Sequence, residues 1–132
     1  MSTVRSGKYL GIDFGSKRIG LAVSDELGNL AFPYRVLPNG ADLIEKIMEI
    51  IRKENIKSVV MGESKDFKGE ANKIMVEIDK FKKEFESKSK LTVIFEPEFL
   101  TSVQAEKIQG KNEMQDASAA AIILQSYLDR LK

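Results

Sequence analysis

Between Lys8 and Leu37 the hydrophobic positions recur at every second residue. In KYLGIDFG, Leu10, Ile12 and Phe14 alternate with Gly11, Asp13 and Gly15. In KRIGLAVSD, Ile19, Leu21 and Val23 alternate with Arg18, Gly20 and Ala22, and NLAFPYRVL offers a third such run. Successive side chains of a strand point to opposite faces, so period two predicts three strands. Gly15-Ser16 and Gly28-Asn29 supply turns between them, which makes an antiparallel meander. Pro33 has no N–H for a ladder and suits an edge strand. Asp13, with Gly11 and Gly15, lies on the face the pattern leaves bare.

From Asp42 the period changes. Leu43, Ile47, Ile50 and Ile51, flanked by Ile44 and Met48, recur at helical spacing up to Glu54, and Asn55 suits the helix end. IKSVVMG is a short β-branched run of the kind buried on both faces of a parallel sheet. After the loop ESKDFKGE, the spacing of Ile74, Ile78, Phe81 and Phe85 predicts a second helix, whose Lys/Glu-rich end from Lys80 to Lys90 is solvated. LTVIFEP is another buried strand, stopped by Pro97. Thr101 and Gln104 form a capping-box pattern that starts a short helix at about Ser102. A last helix runs from about Met114 to Leu131, with Ala117, Ala120, Ala121, Leu124, Tyr127, Leu128 and Leu131 on one face. This order predicts an α/β fold with a five-stranded mixed sheet: the antiparallel three-strand meander plus two parallel strands.

The chain of 132 residues is read as a single domain, 1–132, with 42% hydrophobic and 31% charged residues. No apolar run approaches the roughly 20 residues that span a bilayer. MSTVRSGK carries no apolar signal stretch, so a cytoplasmic location and no membrane partner are expected. There is no Cys and no His. Disulfides, thiol nucleophiles, Cys/His zinc sites and His-based relays are thereby excluded, and any catalysis must use carboxylates, lysines, hydroxyls or oxygen-bound metals. A net charge of +1 argues against a broad electrostatic grip on nucleic acid, though not against a local patch.

In open α/β sheets ligands gather beyond the carboxyl ends of the strands, and several acids fall there. Asp13 ends the first strand, Glu63 the SVVMG strand, and Glu96 and Glu98 straddle Pro97. Asp116 lies in the first turn of the last helix, before ASAAA. Carboxylates held close repel one another unless a cation neutralises them. Mg²⁺, or Mn²⁺, bound by such oxygens and by phosphate, can position a water against a phosphodiester without His or Cys. Glycines 11 and 15 then leave room for ion, water and phosphate at the strand face, and Lys17 and Arg18 stand at the rim as phosphate contacts. An ordinary turn-proximal acid with a solvated cation pair is the plainer reading of the same residues.

YLGIDFGSKRIGLAVSD, VVMGESKDFKGE, PEFLTSVQAE and QDASAAAIILQSYLD resemble, in order and spacing, the YqgF family, also called RuvX. That resemblance implies an RNase H-like fold with helices on both faces of the sheet. It also implies a Mg²⁺-dependent endonuclease that processes the 5′ end of pre-16S rRNA, or resolves Holliday junctions in DNA recombination and repair. It puts metal-binding catalytic carboxylates at Asp13, Glu98 and Asp116, and nucleic-acid contacts at Lys17, Arg18, Thr101 and Ser102. Two positions depart from the family pattern. Pro97-Glu98-Phe99 stands where Asp-Glu-Arg is usual, and Gly62-Glu63-Ser64 where Gly-Leu-Pro is usual. Glu63 and Glu96 are therefore held as substitutes for Glu98, and a ribosome-assembly module that binds RNA with impaired catalysis is a further alternative. The partners implied are structured RNA or branched DNA, with the chain acting as a monomer or a homodimer. The first motif is also similar to the phosphate-binding hairpin of actin-like ATPases, which close two domains around a nucleotide where this chain offers one.

Overall fold

The computed structural model of the protein describes residues 7–63, 72–97 and 113–131. Five strands form one sheet: β1 (Lys8–Phe14), β2 (Arg18–Ser24), β3 (Ala31–Pro38), β4 (Ile56–Glu63) and β5 (Val93–Pro97), in the order β3-β2-β1-β4-β5. The first three pair antiparallel, and β4 pairs parallel to both β1 and β5. The mixed sheet expected from the hydrophobic pattern is the one observed, with Pro33 in edge strand β3. The helix expected to start near Ser102 and the loop from Ser64 onward lie outside the described residues.

Helices α1 (Leu43–Glu54) and α2 (Asn72–Ser89) cover one face, and α3 (Glu113–Leu131) covers the other. The first face holds the larger core. Leu10, Ile12, Ile19 and Leu21 from the strands meet Leu43, Ile47 and Ile50 of α1 and Ile78, Phe81 and Phe85 of α2. Each such side chain, fully buried, contributes about 1.5–3 kcal/mol through the hydrophobic effect. Asn55 ends α1 in the left-handed conformation (φ 56°, ψ 54°), its N–H donating to the Ile51 carbonyl, and the chain turns directly into β4.

The second face departs from expectation. Gly11 does not leave it bare, because α3 lies across it: a Cβ at Gly11 would stand 2.8 Å from Leu124 Cβ and 3.0 Å from the Ala120 carbonyl oxygen. Ala120, Ile123, Leu124 and Leu128 close over Ala22 and Val60. Small side chains on both partners allow this close approach. Leu131, expected on the buried stripe, is 53% exposed. Among the described residues no helix is long and apolar enough to cross a membrane.

Candidate active site

Asp13 sits one residue from the end of β1, and its partner across the antiparallel ladder is Gly20 of β2. A Cβ on Gly20 would lie 2.1 Å from the backbone oxygen of Asp116. The first turn of α3 therefore rests on bare strand backbone, and the Asp116 carboxylate is delivered beside that of Asp13. Both acids line a shallow open hollow of about 210 Å³ with Gly15, Ser16, Lys17 and Arg18. Gly15 serves the hairpin rather than an approaching ligand, because a Cβ there would meet the Arg18 carbonyl oxygen at 2.6 Å.

Burial, and secondarily the neighbouring Asp116 carboxylate, raises the Asp13 pKa from 3.8 to about 6. Arg18 answers part of this negative charge. Its Nε lies 2.8 Å from Asp116 Oδ2, with the side chains 45% and 31% exposed. Among the described residues Oδ2 is closed to solvent and accepts no hydrogen bond, so the contact with Arg18 is one of charge rather than of a directed N–H. A shielded oxygen with an unused acceptor, next to a second carboxylate, is the donor set a hard divalent cation prefers. Among the described residues no third acidic group joins the pair to complete a metal cluster.

The turn that carries Lys17 is held from below by a residue that the hydrophobic pattern does not single out. Asn39 donates its backbone N–H to the Lys17 carbonyl (3.0 Å) and its side-chain Nδ2 to the carbonyls of Gly15 (2.9 Å) and Ser16 (3.4 Å). In sequence, Asn39 between Pro38 and Gly40 reads only as a turn residue, and nothing there marks what it grips.

Of the remaining candidates, Glu96 is placed apart. By register Glu96 lies at the level of Asp13, two strands away, or roughly 10 Å at the usual strand spacing. Its side chain is only 2% exposed and is held under the far half of α3, where Oε2 accepts from the Ser126 hydroxyl and Oε1 from Arg130 Nη2, each at 2.7 Å. Glu63 ends β4, half-buried, opposite Pro97. Glu98, Thr101 and Ser102 lie outside the described residues. A larger hollow of about 490 Å³ between the start of α1 and α2 shares no lining residue with the acid hollow.

Known proteins resemble this chain over nearly all of its length. The sequence model of a family described as "RuvX: Holliday junction resolvase" matches residues 7–130. A protein of Sulfurihydrogenibium sp. (strain YO3AOP1) named "Putative pre-16S rRNA nuclease" is 38% identical, over 94% of this chain and 91% of that protein. One of the same name from Caldanaerobacter subterraneus subsp. tengcongensis is 32% identical over 95% of this chain and 98% of its own. Among solved structures, Thermus thermophilus RuvC in complex with Holliday junction substrate superposes with a TM-score of 0.61 at 16% identity, covering 94% of this chain and 96% of that one. The fowlpox virus Holliday junction resolvase does so with a TM-score of 0.52 at 18% identity, covering 93% and 99%. At such identities the likeness shows the fold, which is the RNase H-like one expected from the sequence.

Proposed function

This chain belongs to the RuvX family, and on that footing we propose that it is a metal-dependent endonuclease that hydrolyses phosphodiester bonds in structured nucleic acid, with pre-16S rRNA as its substrate. The observation that carries the reading is the hollow in which Asp13 and Asp116 face Lys17 and Arg18. Two carboxylates alone would repel a phosphodiester; with a divalent cation between them and two cations at the rim they suit one.

Asp13 and Asp116 would hold Mg²⁺ or Mn²⁺, with Glu98 as the third ligand. Glu63 and Glu96 remain the substitutes, and of these Glu96 is engaged by Ser126 and Arg130. A divalent ion bound there supplies Lewis-acid activation of water and neutralises charge that develops on the phosphate. The chain's own residues do the rest. Gly20 seats α3 so that the carboxylates converge, Asn39 fixes the Gly15–Lys17 turn, and Lys17 takes phosphate oxygens and sets the backbone in place without reading sequence.

Asp13→Asn should abolish Mg²⁺-dependent cleavage of precursor rRNA while leaving the circular dichroism spectrum of the wild type. Undiminished cleavage by that variant would sink the assignment. The family's description favours Holliday junction resolution as the second reading, and a four-way junction assayed beside the rRNA decides between them. Junction cleavage with rRNA untouched would reverse the order. RNA binding that persists in EDTA, with no cleavage in Mg²⁺ or Mn²⁺, would identify a binding module instead.

A further inference from the structure

In the sequence Arg18 stands at the rim of the hollow, the position of a phosphate contact. In the fold its guanidinium is turned inward, with Nε 2.8 Å from Asp116 Oδ2. That oxygen is the shielded atom with an unused acceptor, beside the second carboxylate of Asp13. A guanidinium and a divalent cation cannot both occupy the space in front of one oxygen, and like charges at such range repel.

We infer that Arg18 is the resident counter-ion of Asp116 and is displaced when a divalent cation loads, so that metal binding itself releases the guanidinium toward the substrate phosphate. This rests on the metal-site reading given above and adds an order of events to it. Three features make the exchange inexpensive. The contact at Oδ2 is not a hydrogen bond, so none is broken when Arg18 leaves. At 45% and 31% exposure the pair is partly solvated, and ion pairs of that kind are weak. The guanidinium that swings out arrives with its planar fork of donors, suited to two phosphate oxygens at once. Before loading, the same contact offsets part of the repulsion between Asp13 and Asp116. Lys17 lines the hollow too, but the ion pair at Asp116 is made by Arg18, so the two cations are separable by experiment.

The test is calorimetric titration of Mn²⁺ into the full-length, metal-free protein without nucleic acid, for the wild type and for Arg18→Gln, Lys17→Gln and Asp116→Asn. Loss of a competing, partly exposed ion pair should tighten Mn²⁺ binding by Arg18→Gln roughly two- to fivefold. Lys17→Gln should gain distinctly less, and Asp116→Asn should lose most of its affinity. If Arg18→Gln binds no more tightly than the wild type, or if Lys17→Gln gains as much, Arg18 is not the displaced partner; loss of binding in Asp116→Asn would leave the metal site itself standing. If Asp116→Asn binds Mn²⁺ as the wild type does, the metal-site reading fails and takes this inference with it.

Discussion

At Asp13 the cost of gathering acids is visible in a single side chain. Its carboxyl titrates at about 6 in the folded chain against 3.8 when free of its surroundings. Between those values the folded protein holds a proton that the unfolded chain has released, so the metal-free fold loses stability as pH rises from about 4 to about 6 and stays lower above. A tenfold change in proton affinity is worth about 1.36 kcal/mol, which makes the full penalty at most about 3 kcal/mol. Asp116 and Arg18 are the charged groups that share the hollow with it, along with Lys17. Asp13→Asn carries no such penalty. Metal-free, it should melt above the wild type at pH 8, and the gap should close only well below the free value of 3.8, where the wild-type carboxyl is protonated folded or unfolded. A gap of equal size at both ends of that range would show that charge is not its origin. Arg18, by contrast, is legible in the sequence only in part. Its place beside an acid strand-end follows from KRIG, but its turn toward Asp116 depends on where a helix almost a hundred residues later comes to rest, and no local pattern carries that.

The elements are more readable than the contacts between them. Period two places β1, β2 and β3, short continuous apolar runs place β4 and β5, and period 3.6 places the described helices, while Asn55 is expected as a helix end for the reason the structure shows, tolerance of the left-handed conformation. What the pattern cannot express is the use of an empty position. Gly11 reads as room for a ligand and Gly20 only as one of the small residues alternating with Ile19, Leu21 and Val23; both are the seat of α3, because the sheet and a helix backbone meet where side chains are missing. Gly20→Ala should therefore act on the helix. With its Cβ 2.1 Å from the Asp116 oxygen, it must push the first turn of α3 outward, at a cost of about 1–3 kcal/mol for overpacking. Mn²⁺ affinity should fall along with the melting temperature. Gly40→Ala, whose nearest neighbour would stand 3.7 Å away, is the matched control and should melt near the wild type. A Gly20→Ala protein that binds Mn²⁺ normally would show that the seat does not position the acids.

Across the molecule, α3 is fastened along its length: its first turn rests on β2, Gln125 accepts the Ala31 N–H of β3, and Ser126 and Arg130 bond Glu96 of β5. Glu96 reads in sequence as a spare metal ligand, since an acid at a strand end looks the same whether it faces a hollow or a helix. Only the partner distinguishes the two, and Arg130 lies thirty-four residues further on. Because Glu96 is buried and Arg130 more than half exposed, Glu96→Gln keeps the shape while losing a charge-assisted bond. It should lower unfolding free energy by about 1–2 kcal/mol. Mn²⁺ affinity should stay within twofold of the wild type; a large loss would restore Glu96 as a ligand. The same division runs through the whole chain. Elements are written locally, whereas the convergence of Asp13, Arg18 and Asp116 belongs to the packing of three elements at once.

The contact at Gly20 has a mechanical meaning as well. Where two elements meet through interdigitated side chains, their separation can drift as rotamers change. Here the backbone of a helix stands on the backbone of a strand, with no side-chain rotamer between them. The approach of α3 to the strand thus has a hard stop, a floor set by atomic radii and covalent geometry. An ion held by both acids would find the two backbones that carry them already stopped against each other, with the carboxylate torsions left to adjust to it.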